Sequence, residues 1–471
     1  MISAPHSSGI EQRTLAQLPS DFRWGAATAA YQVEGAARDE GRGPTNWDTF
    51  SHTPGKTLNG DTGDVAADHY HRVNSDIALM DDFGMNAYRF SIAWSRIMPS
   101  GSGAINSAGM DHYSREVDSL LERGIEPMVT LFHWDLPQPL EDAGGWFNRD
   151  TAYRFADYAE VVLERLGDRV PRWLTLNEPW TVISQGYSRG LHAPGYRDYH
   201  KAGTAIHHLM LAHGEGLARF RQLSPTGAEM GITLCMAVPR PWSQAPADLE
   251  ANRLLDGEQN RVYLDPLFHG TYPADLGELF PTLFDDNIVR DGDLAVISKP
   301  VDFLGVNYYL NHVVKADPTV PVLGARLIDP PGPTMSAGIA AVPEGITSCL
   351  RRVHQEYQEL PMYVTEMGAS LHDYVDPTGR VRDSGRIDYL RRTIESIAEA
   401  RQAGVDVRGL YVWSLLDNLE WDLGYSVRFG LFFVDYGTQK RIPKDSAHWY
   451  RDTINEHSAV NANGGDLGSA W

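Results

Sequence analysis

The stretch WLTLN at positions 173–177, which Glu178 follows, is an apolar run that ends in polar residues. Such a short run between polar segments is typical of a strand buried in a parallel sheet. Comparable runs recur along the chain, with helical periodicity between them, so the sequence predicts alternating strands and helices. The eight predicted strands are 22–26, 87–92, 127–132, 173–177, 230–234, 303–307, 362–366 and 409–414.

A predicted helix follows each strand, which is the arrangement of an eight-fold βα barrel. A doubly wound open sheet shares the alternation but usually has fewer strands, so the strand count favours an α/β fold built as a single (β/α)8 TIM barrel with long βα loops. The predicted helices are 65–83, 108–122, 151–166, 202–222, 246–262, 345–358, 384–403 and 444–455.

The domain organisation follows from the absence of a break in composition. A chain of 471 residues could hold three domains of ordinary size, but a barrel of this kind can exceed 400 residues. We predict a barrel over 21–457, flexible ends at 1–20 and 458–471, and long loops in the Pro- and Gly-rich stretch 317–343.

Charge and composition exclude several classes of protein. With 62 acidic and 41 basic residues, the formal charge is −21, which argues against nucleic-acid and anionic-membrane partners. The 42% hydrophobic content is ordinary for a folded globular protein. Residues 1–20 lack the apolar stretch of a signal peptide, so a cytoplasmic location is expected.

Cysteine and histidine usage gives no support for a metal or cofactor. Two cysteines, Cys235 and Cys349, cannot form a four-thiolate zinc site, and Cys235 is interpreted as a small core residue. The nearest histidine cluster is His207, His208 and His213, on an apolar helical segment where packing is the favoured interpretation. We predict no metal and no cofactor.

Two predicted strands end in a glutamate. Glu178 follows the fourth strand, and Glu366 closes the seventh, where the sequence reads YVTEM at 363–367. The C-terminal ends of barrel strands meet at one rim, where active sites of such barrels lie. A single glutamate there could be an ion-pair partner, but two at one rim favour a catalytic pair.

Facing carboxyls of this kind serve double-displacement glycoside hydrolysis. One carboxylate attacks the anomeric carbon, and the other carboxyl protonates the leaving oxygen. The nucleophile must stay ionised, which needs a donor such as Arg89, although Arg89 could instead be a structural clamp. The acid must stay protonated, which needs a partly apolar pocket.

Other polar and aromatic residues at predicted strand ends suit a sugar. A pyranose offers hydroxyls, which donate and accept hydrogen bonds, and an apolar face that packs on aromatic rings. Any one of these residues could simply be packing, but their shared rim location favours carbohydrate binding. They are Gln32, His133, Trp134, Asn307, Tyr309, Trp413, Glu420 and Trp421.

Several separated motifs resemble those of glycoside hydrolase family 1, the β-glucosidases and their relatives. The resemblance runs from about 22 to 455. The motifs are FRWGAATAAYQVEG at 22–35, TLNEP at 175–179, GY at 186–187 leading to HAPG at 192–195, YLDP at 263–266 and RFGL at 428–431.

The resemblance implies that Glu178 is the general acid/base and Glu366 the nucleophile. It implies hydrolysis of terminal β-D-glucosyl residues of small O-glycosides with retention of configuration, with galactosyl and fucosyl residues as further candidates. Glu178 stands where the thioglucosidase branch has Gln, so an O-glycoside is expected.

The resemblance also implies roles for residues around the sugar. Trp413 would be the platform on which the sugar ring packs, Asn177 would lie near the 2-hydroxyl, and Tyr309 would position Glu366. The remaining implied contacts are Gln32, His133, Trp134, Asn307, Glu420, Trp421 and Phe429 for the sugar, with Trp180 and Ile339 on the aglycone side.

The chain departs from the family pattern at three positions. Met367 follows the nucleophile where Asn is usual, and Ile339 stands where a Trp commonly stacks on the leaving group. The aliphatic residue favours a hydrophobic aglycone as a hypothesis. Around Val427 the phosphate-binding pattern of the phospho-glycosidase branch is incomplete, so an unphosphorylated sugar is expected.

Two other functions stay open at this point. A sugar-binding or transglycosylating barrel protein acting on glycosides of hydrophobic aglycones would share the same site. A barrel isomerase or aldolase would need a phosphate site or a Schiff-base lysine, and no lysine stands among the proposed strand-end residues. The natural aglycone and the oligomeric state are not determined by the sequence.

Overall fold

The computed structural model describes residues 8–223 and 227–464, and eight strands of this part form a closed barrel. Each strand is parallel to both neighbours. The closed sheet confirms the predicted barrel and excludes the open doubly wound sheet. The strands are β1 (Arg23–Ala27), β2 (Ala87–Ser91), β3 (Glu126–Phe132), β4 (Arg172–Asn177), β5 (Glu229–Ala237), β6 (Phe303–Leu310), β7 (Met362–Met367) and β8 (Val407–Trp413).

A long helical segment follows each barrel strand, as the sequence pattern predicts. The first helix begins four residues later than predicted, because Asp68 has a left-handed φ of 53° and interrupts the helical backbone. The helices are α1 (His69–Asp82), α2 (Ser107–Glu122), α3 (Asp150–Leu166), α4 (Tyr199–Leu223), α5 (Pro246–Asp256), α6 (Gly345–Arg352), α7 (Ser384–Gln402) and α8 (Asp445–Gly464).

The loops at the C-terminal ends of the strands contain further structure. The stretch predicted as a long loop forms part of a small sheet, in which Val313–Ala316 pairs with Ala325–Ile328 and with Arg240–Pro241. A hairpin of Phe432–Asp435 and Lys440–Pro443 precedes α8. Helix α5 continues through the π-helical turn Gly257–Arg261 into Val262–Phe268. One shorter helix, Gln12–Leu15, lies before β1. The other shorter helices lie between the main elements, at Ala30–Val33, Asn46–Ser51, Trp94–Ile97, Gln138–Asp142, Pro179–Thr181 and Asp293–Ile297.

The described parts of both predicted flexible ends are folded against the barrel. Ile10, Leu15 and Leu18 are buried in the main hydrophobic core, so residues 8–20 pack against the barrel. Helix α8 runs to Gly464, and its half-buried Val460 packs against the same core. The flexibility of the two ends stays a prediction. Residues 1–7 and 465–471 lie outside the described residues.

The barrel core consists mainly of apolar side chains from the strands and the inner faces of the helices. Trp24, Tyr88 and Trp173 are among the largest fully buried side chains. Within the part of the chain that the structure describes, no helix is long and apolar enough to cross a membrane.

Candidate active site

Strands β4 and β7 lose regular pairing where they carry the two predicted catalytic glutamates. The register between β4 and β5 shifts between Leu174 and Asn177, and the register between β7 and β6 shifts between Val364 and Glu366. Glu178 also has a left-handed φ of 47°. Such irregular backbone re-aims side chains at strand ends and is common at functional sites. It turns both glutamates towards one cavity.

This cavity at the C-terminal end of the barrel brings together most of the predicted site. Asn177, Asn307 and Arg89 do not line it but lie directly behind its wall. The predicted residues that line it are Gln32, His133, Trp134, Glu178, Trp180, Tyr309, Ile339, Glu366, Trp413, Glu420, Trp421 and Phe429.

Glu366 is paired with a buried cation. Arg89 is fully buried, and its guanidinium donates to Glu366 Oε1 at 2.5 Å. Tyr309 donates its hydroxyl to Oε2 at 3.4 Å. Burial raises the pKa of Glu366 to about 7, while the charge of Arg89 lowers it and that of Glu178 raises it. The predicted donor to the nucleophile is therefore in place, and it opposes the effect of burial.

Glu178 is buried to a similar degree but receives only neutral hydrogen bonds. Asn307 donates to its Oε1 at 2.7 Å, and Thr181 donates to its Oε2 at 2.6 Å. Burial raises the pKa of Glu178, and these two donors lower it. A carboxyl with no cation in direct contact keeps its proton more readily than one that an arginine holds.

A chain of hydrogen bonds behind the cavity wall joins the two carboxyls. The Oδ1 atom of Asn177 accepts from Arg89 at 2.6 Å and from Asn307 at 3.1 Å. Asn307 in turn contacts Glu178, and Arg89 contacts Glu366. This network fixes the relative position of the two carboxyls.

The same network determines the tautomer of His133. The oxygen of the Asn177 amide accepts from the N–H groups of Arg89 and Asn307, which fixes the orientation of the amide. The amide nitrogen of Asn177 therefore faces Nε2 of His133, at 3.0 Å. That nitrogen must accept, so the proton of the neutral imidazole lies on Nδ1. Burial lowers the pKa of His133 well below its ordinary value, which keeps the ring neutral. His133 therefore presents an N–H donor.

Three buried polar atoms that belong to cavity residues have no hydrogen-bond partner in the described structure. They are Nδ1 of His133, Oε1 of Gln32 and Oε2 of Glu420. The amide nitrogen of Gln32 is already used, because it donates to Asn418 and to the Leu419 carbonyl. One donor and two acceptors are thus left for a ligand, and buried polar atoms of this kind usually have partners.

Indole rings form the wall beside these polar atoms. Trp134 and Trp421 have ring centroids 4.4 Å apart, and the His133 ring stacks on both Trp413 and Trp421. Trp134 donates its N–H to the Asn177 carbonyl at 2.9 Å, which fixes the orientation of that ring. The cavity therefore combines apolar aromatic surface with polar atoms that lack partners, as a sugar requires.

A third carboxyl, that of Glu420, shares the cavity with Glu178 and Glu366. Burial raises the pKa of Glu420 to about 8, and the negative charges of Glu366 and Asp422 add to this effect. Because the three carboxyls influence one another, they titrate as a group.

Several cavity residues were not predicted from the sequence. Cys235 is buried, as predicted for a core residue, but it also faces the cavity. The alternation along β5 could have indicated this, because side chains two apart share a face. The spacing of Thr181, three residues after Glu178 in the next helical turn, was also a usable signal. The other unpredicted lining residues are Gln185, His192, Leu310, Ala337, Asp422 and Leu423.

The three departures from the family pattern lie in different surroundings. Met367 is fully buried in the hydrophobic core rather than in the cavity. Ile339 lines the cavity with Ala337, on a loop whose backbone is held by Ser370. Arg428, beside Val427, donates to Asp417 at 2.6 Å.

The histidines considered for metal binding are used in separate contacts. His207 pairs with Asp293 and Tyr272, His208 contacts the Trp146 carbonyl, and His213 contacts Thr175. Among the described residues no group of three or more His, Cys, Asp or Glu side chains could hold a metal ion.

Comparison with known proteins agrees with this geometry. A sequence model of glycosyl hydrolase family 1 matches residues 14–459, which is nearly the whole chain. The chain therefore belongs to glycosyl hydrolase family 1, whose members are retaining glycosidases. The resemblance noted from the motifs is confirmed.

The curated relatives and solved structures that this chain matches include β-glucosidases. Beta-glucosidase A of Thermotoga maritima is 45% identical over 439 residues, covering 93% of this chain and 98% of the relative. A bifunctional beta-D-glucosidase/beta-D-fucosidase of Bifidobacterium breve is 46% identical over 461 residues, covering 94% and 99%. The solved structure of the family 1 β-glucosidase from Thermotoga maritima superimposes with a TM-score of 0.90 at 44% identity, over 93% of this chain and 98% of that one. The enzyme class is therefore that of the retaining β-glucosidases.

Proposed function

We propose that this retaining β-glucosidase uses Glu366 as nucleophile and Glu178 as general acid/base. The observation that carries this assignment is the contrast in hydrogen-bond partners. Arg89 opposes the effect of burial on Glu366 and so favours the ionised form that attacks, whereas the partners of Glu178 are the neutral groups of Asn307, Thr181 and Cys235. Both lie in one cavity, so one substrate can meet both.

The reaction then proceeds in two displacements. In the first, a carboxylate oxygen of Glu366 bonds to the anomeric carbon while the bond to the leaving oxygen breaks, and Glu178 gives its proton to that oxygen. In the second, Glu178 as carboxylate takes a proton from water, whose oxygen attacks the anomeric carbon and releases Glu366. Two inversions give net retention, and the next cycle starts with Glu178 protonated.

The unpartnered polar atoms mark the proposed binding site of the non-reducing sugar. His133 Nδ1 donates to a hydroxyl, and the free oxygens of Gln32 and Glu420 accept from hydroxyls. Trp413 is the platform for the apolar face of the ring, with Trp134, Trp421 and Phe429 beside it. Asn177 and Asn307 act mainly from behind the wall, through the contacts that position the two carboxyls.

The proposed sugar is unphosphorylated, with glucose preferred and galactose or fucose as further candidates. Arg428 is the cation nearest in sequence to Val427, and it is engaged by Asp417 and lies over the Phe433 ring, so it is not available for a phosphate. The relative that is named for both glucosidase and fucosidase activity supports the wider sugar range.

The aglycone side favours a hydrophobic leaving group. Ile339, Ala337 and Leu310 form an aliphatic wall, and Trp180 is fixed by its hydrogen bond to Glu258 at 2.9 Å. Apolar surface of this kind stabilises an apolar group and offers a second sugar little stacking area. Comparing kcat/KM for cellobiose and for a hydrophobic aryl β-glucoside tests this proposal, and a clear preference for cellobiose would contradict it.

The mechanism is tested by the anomer that forms first. Hydrolysis of an aryl β-glucoside is followed by proton NMR before the released glucose mutarotates. β-Glucose as the first product is expected, and α-glucose would refute the double displacement.

We also propose that the partners of this enzyme are small β-glycoside substrates and that the enzyme is cytoplasmic. Cell fractionation with antibody detection would test the location.

A further inference from the structure

Four carboxyl groups line the catalytic cavity, those of Glu178, Glu366, Glu420 and Asp422. Glu178 is protonated in the proposed mechanism, and burial raises the pKa of Glu420 to about 8, so the negative charge of the cavity belongs mainly to Glu366 and Asp422. Its lining within the described residues includes no lysine and no arginine, and Arg89 lies behind the wall against Glu366. A cleft lined by one sign of charge concentrates the opposite charge and repels its own.

Asp422 differs from the other carboxyls in its exposure. Its side chain is 33% exposed, whereas the side chain of Glu366 is 6% exposed and Glu178 is buried. It therefore lies towards the mouth of the cavity. The glucosyl residue occupies the buried end, next to the catalytic pair, so the leaving group extends past Asp422.

A histidine from another loop holds Asp422 in this place. Nε2 of His192 donates to Oδ1 of Asp422 at 3.0 Å, since a carboxylate can only accept. His192 follows β4 and Asp422 follows β8, so the contact joins two loops across the cavity. No hydrogen bond within the described residues reaches Oδ2 of Asp422, so that oxygen is available to a ligand.

We propose that Asp422, held by His192, selects substrates by the charge of the leaving group, so that cationic leaving groups are preferred over neutral ones and anionic ones are disfavoured. This inference rests on the proposed function, because it concerns the group that the enzyme releases. The charge of Asp422 reaches the catalytic end, since it contributes to the raised pKa of Glu420.

Three phenyl β-glucosides with para substituents test the proposal. The substituents are 2-aminoethyl, 2-hydroxyethyl and carboxymethyl, which are cationic, neutral and anionic at pH 7. In each substituent at least one methylene group separates the ammonium, hydroxyl or carboxylate from the ring, so the three phenols are similar as leaving groups. Glucose release gives kcat/KM for each substrate, and the cationic-to-anionic ratio is the readout.

Asp422→Asn removes the charge with little change in shape. We expect it to lower the cationic-to-anionic ratio about fivefold, as a unit charge several ångströms away in a partly solvated cleft would. Asp422→Lys should reverse the preference. Asp82→Asn is the matched control, because Asp82 is exposed at the end of α1, where the barrel strands begin. It should leave the ratio unchanged.

A measurement on the unmodified enzyme keeps the test independent of folding of the variants. Raising the ionic strength should lower its cationic-to-anionic ratio, because salt screens an exposed charge. The proposal is overturned if the unmodified enzyme shows a ratio near one, or if Asp422→Asn and Asp82→Asn change it equally. Failure to hydrolyse all three glucosides would instead refute the proposed function.

Discussion

The ends of strands β4 and β7 present two carboxyls of similar burial to one cavity, but their partners differ in charge. Glu366 at the end of β7 is held by the guanidinium of Arg89, and Glu178 after β4 is held by an amide and a hydroxyl. Burial raises both pKa values, so burial alone cannot separate the two roles. In the proposed mechanism the partners, and not the degree of burial, therefore distinguish the nucleophile from the acid.

Removing the proposed nucleophile should have the largest effect. Glu366→Ala is expected to lower kcat by at least about 10⁴-fold for every β-glucoside, because no covalent intermediate can form. The binding of a non-hydrolysable glucoside, measured by calorimetry, should persist. A variant that keeps more than about a tenth of the activity would mean that Glu366 is not the nucleophile.

Removing the proposed acid should depend on the leaving group. Glu178→Ala is expected to lower kcat/KM about 10³-fold for alkyl β-glucosides, which need a proton on the leaving oxygen. Glucosides of acidic phenols need less protonation of the leaving oxygen, so the rate of their first step should fall far less. Rates for a series of glucosides show how the effect of the substitution depends on the acidity of the leaving group, and an equal fall in rate for all of them would contradict the assignment.

Removing the cation beside Glu366 should make the two carboxyls more alike. Arg89 lowers the pKa of Glu366, so Arg89→Gln should raise this pKa. Glu366 acts as an anion, so the acid limb of the kcat/KM profile should move to higher pH, with about a 10²-fold loss at neutral pH.

Arg89→Lys is the matched variant for this prediction. It keeps the charge but lacks the guanidinium that donates to Glu366 and Asn177 at once, so it should show a smaller shift of the acid limb. Thermal unfolding checks that both variants fold. An acid limb that stays in place in folded Arg89→Gln would contradict the role of Arg89.

The smallest effect is expected at the hydroxyl that contacts Glu178. Thr181 donates to Glu178 and lowers its pKa, so Thr181→Val should raise it. Glu178 acts while protonated, so the alkaline limb of the kcat/KM profile should move to higher pH, with only about a threefold change in rate at the optimum. Thr453→Val, at a buried threonine of α8 that contacts its own helix, is the control and should leave the limb in place.

Much of this arrangement could be predicted from the sequence. The eight barrel strands match the predicted runs within a few residues, because each strand is a local apolar pattern. Glu178 and Glu366 were found because each directly follows or closes such a run. The burial of Ile10 and Leu15 was not predicted, since it depends on distant parts of the chain.

The partners of the site residues were harder to predict. Cys235 was assigned to the core on its apolar neighbours, whereas its position near the end of β5 also places it in the cavity lining. His192 was visible in a motif, but its contact with Asp422 joins residues 230 positions apart. No local pattern reports such a contact.

The sequence by itself determined the barrel, the two glutamates at its rim and the family to which they belong. Periodicity and strand-end position are properties of a few neighbouring residues, so they can be read from the chain directly. Arg89 was predicted as a donor to the nucleophile, but only the tertiary structure decided that this contact forms and that Glu178 has no such cation beside it. Arg89 lies 277 positions from Glu366, and Asn307 lies 129 positions from Glu178. Closure of the barrel brings these pairs together, and their charges then set the protonation that each carboxyl needs.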